Sequence, residues 1–383
     1  MAVVVIGEPA SQPGAALPPA VTAAFEAVGL RTHLCRPGDG DPLPATLTGA
    51  DALVLACAGP EALPLLRAAL AAEVPVLALG GGAPLLDRAA AQPPPLPAAA
   101  GADPLRGAGE AAYGHGFRRL GGSAWVLPGP LGDPAGAAPL HRFAALAAAR
   151  AEHTATRAFF TPRADAWEER FAYQAPAYEA AVARMRLSPG QTVLDLGCGS
   201  GRALPALRAG VGAAGTVLGV DLTPAMLTAA ARAGRRGPAG LLVADCGRLP
   251  LPAGAVHGIF AAGLLDHLPQ PRTALTEWAR VSAPGAELLL FHPSGRAERA
   301  ARHGRPVSPD DPLAEPNLRP ALDATGWRLA EYEDAVTHFV ARARRSGGPA
   351  SAHGADRADK ADKADARRRV QSQPLRRKPR WMT

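Results

Sequence analysis

Between Thr192 and Gly201 the chain reads TVLDLGCGSG, an apolar run ending in Asp195-Leu196 that turns at once into a loop with glycine at 197, 199 and 201. No other stretch constrains the fold as much. Glycine takes positive φ at little steric cost and lets the backbone pass close to a ligand. Three glycines at alternate positions after a buried strand therefore mark a tight strand-to-helix turn. Such a turn belongs to an open α/β sheet. The dinucleotide fingerprint sets its third glycine three residues after the second. Here that position is Arg202, and the acid two residues before Gly197 has no place in the fingerprint. The spacing argues against a dinucleotide.

Strand-like and helix-like runs alternate on both sides of this loop. Downstream, GTVLGVD, GLLVAD, HGIFAAG and AELLLFH read as strands. Helices are expected from Arg202, from Pro224 behind a Thr223 cap, over Arg272–Val281 and near Asn317–Thr325. WRLAEYE and AVTHFVARA then follow closely enough to pair antiparallel. Upstream, AVVVIG, Arg31–Cys35, Ala50–Ala56 and Val74–Leu79 alternate with helical stretches over Ala20–Val28 and Ala62–Ala71. Gln92–Pro139 is rich in Pro and Gly and yields no assignment. The expectation is an α/β protein with two Rossmann-like, doubly wound domains, the second closing on an antiparallel strand pair. Their boundaries are set at residues 1–140 and 159–345, with a linker helix over 141–158 and a disordered basic tail over 346–383.

Composition narrows the function classes. The net charge is +7, but from Ser346 onward ten Arg and Lys face four Asp, so the body is near neutral. The basic balance therefore supports weak polyanion binding by the tail and argues against a nucleic-acid groove. Cys35, Cys57, Cys198 and Cys246 form no C-x-x-C pair and no Cys/His ligand spacing. They read as reduced thiols, with no metal site. No signal-like or membrane-spanning run occurs, which leads us to expect a soluble cytoplasmic protein. Nothing in the sequence sets an oligomeric state.

Asp221 ends the strand after the glycine loop and Asp245 ends the next. With Asp195, all three acids fall at the carboxyl edge, where open α/β sheets bind ligands. Each could instead cap the turn that follows it, as Asp commonly does. The stretches VLDLGCGSG, VLGVDLTPAML, VADCGRLPLPAG, FAAGLLDHLPQPRTAL and RVSAPGAELLLFHP resemble the class I S-adenosylmethionine (SAM)-dependent methyltransferases. The likeness is to the small-molecule type that includes the ubiquinone and menaquinone methyltransferases. It implies that fold for the second domain, SAM as cofactor and a small-molecule methyl acceptor. By this resemblance Asp195, Gly197, Cys198, Gly199 and Gly201 line the methionine end of SAM, Asp221 takes the ribose, and Asp245 with Cys246 flanks the adenine.

The chain departs from the family at two places. It carries Val256-His257 where relatives have Phe-Asp, and Asp266-His267-Leu268 where they often have His-His-Leu. His267 is the candidate base if one is needed, and reads equally as a histidine packed at a helix start. Trp167, Phe171 and Tyr173 stand where family members often place a helix over the cofactor, or simply pack. Arg296, Arg299, Arg302, His303 and Arg305 fall in the segment from which the family commonly builds its acceptor pocket, and are expected to form a solvated charged loop. A protein that binds SAM or another metabolite without catalysis would carry the same pattern.

The first domain carries a second resemblance. VVVIGEPASQPG, VGLRTHLCRPGDGDPLPATLTGADALVLACAGP and VPVLALGGGAPLLDRA are similar to the class I glutamine amidotransferases, with Tyr113-Gly114-His115-Gly116 a fainter echo. That family places a nucleophilic Cys at a G-x-C-x-G elbow. The elbow here reads Ala78-Leu79-Gly80-Gly81-Gly82, with Gly80 at the Cys position, and no His has Glu two residues on. The resemblance thus implies a degenerate module without amidotransfer chemistry.

Overall fold

The computed structural model describes residues 2–7, 19–56, 59–91, 118–120, 122–127 and 134–347. Cys57, the Tyr113–Gly116 stretch and all of the tail beyond Gly347 lie outside the described residues. The chain divides into two compact units, 1–154 and 155–383.

The first unit runs β1 (Ala2–Ile6), α1 (Pro19–Glu26), β2 (Arg31–Cys35), β3 (Ala50–Leu55), α2 (Leu63–Ala71), β4 (Val76–Leu79), α3 (Ala83–Ala90), β5 (Arg118–Leu120) and β6 (Ala124–Leu127), and the unit boundary falls within α4 (Pro134–Phe160). Its sheet has the order β2-β1-β3-β4-β6-β5, parallel except for β5 against β6. Successive side chains of a strand point to opposite faces, and both faces here are covered. Val3, Val5, Val54 and Leu77 pack with Phe25, Trp125 and Phe143 on one side, and Val4, Ile6, Leu53 and Leu55 pack with Leu66 and Leu86 on the other. The strands β5 and β6 lie inside the stretch for which the sequence supports no assignment. β6 is nonetheless buried throughout and extends the sheet beside β4.

The second unit runs α5 (Ala164–Phe171), α6 (Ala175–Ala183), β7 (Thr192–Leu196), α7 (Leu204–Val211), β8 (Thr216–Asp221), α8 (Pro224–Arg232), β9 (Gly240–Val243), β10 (Val256–Ala262), α9 (Pro271–Val281), β11 (Ser282–His292), α10 (Arg296–Arg302), α11 (Glu315–Ala324), β12 (Trp327–Asp334) and β13 (Phe339–Arg345). Seven strands take the order β12-β13-β11-β10-β7-β8-β9. The five from β11 to β9 are parallel, and β12 and β13 form an antiparallel pair inserted against β11. Buried Trp278 and Trp327 anchor one face: their indole N–H groups donate to the carbonyls of Cys246 and Leu275 at 2.9 and 3.0 Å. Glu287, on β11, is buried and paired with Arg342 and Arg344 of β13 at 3.1 and 2.6 Å.

Two local readings are corrected here. β9 stops at Val243, so Asp245 lies two residues beyond the strand rather than at its end. The stretch after β11 is not simply a solvated loop. It contains α10, and the side chains of Arg296 and Arg299 are only 12% and 16% exposed, held in ion pairs with Asp311 and Asp266.

Candidate functional site

The carboxyl ends of β7, β8, β9, β10 and β11 share one edge, because parallel pairing aligns them. The glycine loop leaves β7 there. Gly197, Gly199 and Gly201 have φ of +64°, +53° and +78°, values an L side chain adopts only at a cost. At Gly201 a Cβ would also lie 2.7 Å from Leu204 Cδ1, whereas at Gly199 it would meet nothing nearer than Trp167 Nε1 at 3.9 Å. The loop thus offers bare backbone with room above Gly199. Ser200 Oγ donates to Glu168 of α5 at 2.6 Å, and Glu168 also pairs with Arg235. Of the three N-terminal aromatics, Trp167 and Phe171 share α5 with their rings 4.8 Å apart, whereas Tyr173 lies beyond that helix, 72% exposed.

Asp221 joins the loop to the next strand. One carboxylate oxygen accepts the Gly199 N–H at 2.9 Å and the other accepts the Thr223 N–H at 2.7 Å, where α8 begins. Asp245 accepts from the Gly247 N–H at 2.7 Å. Both acids therefore organise the turns that follow them. A carboxylate has about four lone-pair directions, so its two backbone bonds leave Asp221 able to accept further hydrogen bonds. Asp195 is buried at 2% exposure. Burial, then the charge of Asp221, pushes its carboxyl well above the usual range, opposed by Arg202. Asp221 is also raised by burial, with its two backbone donors partly offsetting the shift. Cys198 and Cys246 are buried beside these acids. Burial and then the neighbouring carboxylates push the Cys198 thiol well up and the Cys246 thiol up to about 12, so both are protonated at neutral pH and unsuited to nucleophilic or metal-binding work.

The next strands along carry a second polar group. His267 follows β10 with its side chain exposed. Its neighbour Asp266 pairs with Arg299 of α10 at 2.6 Å. His292, the last residue of β11, has Nδ1 3.0 Å from the Ser294 carbonyl, which fixes that nitrogen as the donor and leaves Nε2 as the acceptor. Burial, then the Arg299 charge, lowers His292 to about 4, against smaller opposing effects of Asp266 and Ser294. His292 was not singled out from the sequence. The signal available there was a histidine closing an apolar strand, AELLLFH. Among the described residues no group of three His, Cys, Asp or Glu could hold a metal, and no helix is long and apolar enough to cross a membrane.

Comparison with known proteins gives the family of the second unit. Residues 194–290 match the model of a methyltransferase domain. An O-methyltransferase of Penicillium expansum (cnsE) is 32% identical over 161 residues, covering 39% of this chain and 57% of its own length. An O-methyltransferase of Aspergillus nomiae (rstn1) is 30% identical over 156 residues, covering 38% of this chain and 68% of its own. The crystal structure of a SAM-dependent methyltransferase from Aquifex aeolicus is 28% identical, with a TM-score of 0.38, and the match covers 44% of this chain and 89% of that one. The chain spans 31%, 57% and 61% of the length of the first three curated relatives it matches. The chain belongs to the class I SAM-dependent methyltransferase family.

Proposed function

We propose that the protein transfers the methyl group of SAM to an oxygen of a small-molecule acceptor, and that SAM lies along the carboxyl edge of β7, β8 and β9. The observation that carries this reading is the pair of carboxylates, Asp195 buried and Asp221 half-buried, beside a bare glycine backbone. Two acids that disfavour their own ionisation form a site whose electrostatics improve when a cation arrives. SAM brings a sulfonium and an ammonium group. The remaining lone pairs of Asp221 suit the ribose hydroxyls, and Asp245 with Cys246 suits the adenine. Gly197, Cys198, Gly199 and Gly201 would face the methionine end.

When bound, SAM supplies an electrophilic methyl group already attached to a good leaving sulfur. The chain has to hold the acceptor in line and exclude water, and positioning of this kind can remove on the order of 7–11 kcal/mol from a barrier. Oxygen as the methylated atom is supported by the curated relatives of Penicillium expansum and Aspergillus nomiae, both of them O-methyltransferases. The full chain incubated with methyl-labelled SAM and a small-molecule extract should place label on a product of low mass. Label appearing only on protein or nucleic acid, or on nothing, overturns the proposal.

For the first unit we propose a degenerate amidotransferase-like module within residues 1–140. Its support is local. β4 enters α3 through a single tight turn, Gly80–Gly82, Gly80 has φ +33°, and the position where the family carries its nucleophile holds no side chain.

A further inference from the structure

The proposed cofactor site occupies the edge of β7, β8 and β9, and the edge of β10 and β11 continues it. The two are in contact: a Cβ placed on Gly197 would lie 3.0 Å from Leu264 Cδ1, just after β10. One residue earlier, Gly263 has φ +58° and donates its N–H to the Phe291 carbonyl at 2.8 Å. A Cβ there would lie 3.4 Å from His292 Cδ2 and 4.0 Å from its Nε2. The absence of a side chain at 263 thus keeps the open nitrogen of His292 uncovered on that side. Beside it, the Asp266–Arg299 pair uses Oδ2 and Nη1, and leaves Asp266 Oδ1 and Arg299 Nε buried without a hydrogen-bond partner. A buried polar atom left unpaired is destabilising, and two on one ion pair beside an open imidazole nitrogen point to a ligand that completes them.

We infer that Asp266, His292 and Arg299 form the acceptor side of the site, with His292 Nε2 taking the proton of an acceptor hydroxyl while Arg299 Nε and Asp266 Oδ1 bind a second oxygen function next to it. The inference rests on the methyl-transfer reading above. The acceptor class it names is a phenol or enol whose hydroxyl sits beside a second hydroxyl, as in a catechol: that second oxygen accepts from Arg299 Nε and donates to Asp266 Oδ1. The acceptor oxygen gains the methyl carbon as the carbon–sulfur bond breaks, and the bonding pair stays with sulfur. The hydroxyl proton passes to Nε2 and then to solvent. The groups that act on His292 are the Arg299 guanidinium, the Asp266 carboxylate, the His267 ring and the Ser294 carbonyl. Asp266 itself is raised by burial but held below the usual carboxylate range by His267, Arg299 and His292, so it faces the imidazole as an anion and favours the imidazolium formed in transfer.

The test uses the full chain labelled with ¹⁵N-histidine, S-adenosylhomocysteine (SAH) to fill the cofactor site, and catechol as the acceptor probe. Long-range proton–nitrogen spectra should show His292, assigned by its loss in His292→Asn, with its proton on Nδ1 at pH 7 and a midpoint near 4. Catechol should shift that signal, and Arg299→Gln should raise the midpoint. His292→Asn can keep the donor to Ser294 but has no base. It should bind SAH within about twofold of wild type while losing roughly 10²- to 10⁴-fold of labelled methyl transfer to catechol. No SAH binding by wild type defeats the cofactor reading itself. If SAH binds, a protonated or Nε2-protonated His292 at pH 7, no response to catechol, or undiminished transfer by His292→Asn overturns this inference alone.

Discussion

Replacing Asp221 by Ala removes the residue that links the glycine loop to β8. Both of its carboxylate oxygens already serve backbone donors, Gly199 N–H at 2.9 Å and Thr223 N–H at 2.7 Å. In the proposed complex the same oxygens also receive the ribose hydroxyls. The two roles predict different effects. In the free protein the lost hydrogen bonds are offset by relief of a buried charge, since the raised pKa shows that the site disfavours the ionised form. The melting temperature should therefore change little. In the complex the ribose loses an acceptor in a buried setting, which costs about 1–3 kcal/mol, or roughly 5- to 150-fold in affinity. Calorimetric titration with SAH, whose sulfur is uncharged, isolates this contribution from the sulfonium. Asp221→Asn, which keeps one acceptor oxygen, should fall between wild type and Ala. Unchanged SAH affinity in both variants would refute the assignment of Asp221, and with it the order of ligand parts along the edge.

Three further outcomes follow from the same geometry. Between the ordinary carboxylate value of 3.8 and the raised value of Asp195, the folded state holds a proton that the unfolded chain has released, so stability of the free protein should fall as pH rises through that window. Asp195→Asn should flatten this slope in thermal melts and raise the melting temperature at neutral pH, by roughly 2–4 °C per kcal/mol relieved. SAM affinity should rise with pH over the same window, because the cation favours the ionised acid, and a pH-independent affinity would count against a cation beside Asp195. Gly201→Ala forces a side chain into positive φ and onto Leu204, and should cost about 1–3 kcal/mol of stability by chemical denaturation together with SAH binding. The protein should release no ammonia from glutamine, because Gly80 has no nucleophile, and steady glutaminase activity would remove the reading of the first unit.

What could be read in advance depended on how local its cause is. The strand, glycine loop and helix around residues 192–211 follow from neighbouring residues alone, as do the terminal strands, whose short connection leaves room only for antiparallel pairing. β5 and β6 carry no readable sequence signal, being three and four residues long inside a Pro/Gly-rich stretch. What makes β6 a strand is its place beside β4, a contact distant in sequence. The Asp266–Arg299 pair joins residues 33 apart, so Arg299 looked like one of several solvated charges until α10 carried it onto the edge. His292 was hidden for a similar reason: its tautomer and low pKa come from Ser294, Arg299 and burial, none of which a strand pattern reveals. Asp195 and Asp221 share an edge because β7 and β8 are parallel neighbours, whereas Asp245 lies two residues beyond β9, where strand ends no longer set its place.

The most direct test of the central claim is a crystal structure of the full chain grown with SAH. The account predicts SAH along the carboxyl edge of β7, β8 and β9, with its ribose hydroxyls on Asp221, its adenine beside Asp245 and Cys246, and its methionine end over Gly197–Gly201. SAH bound elsewhere, or lying on this edge without contact to Asp221, would contradict it.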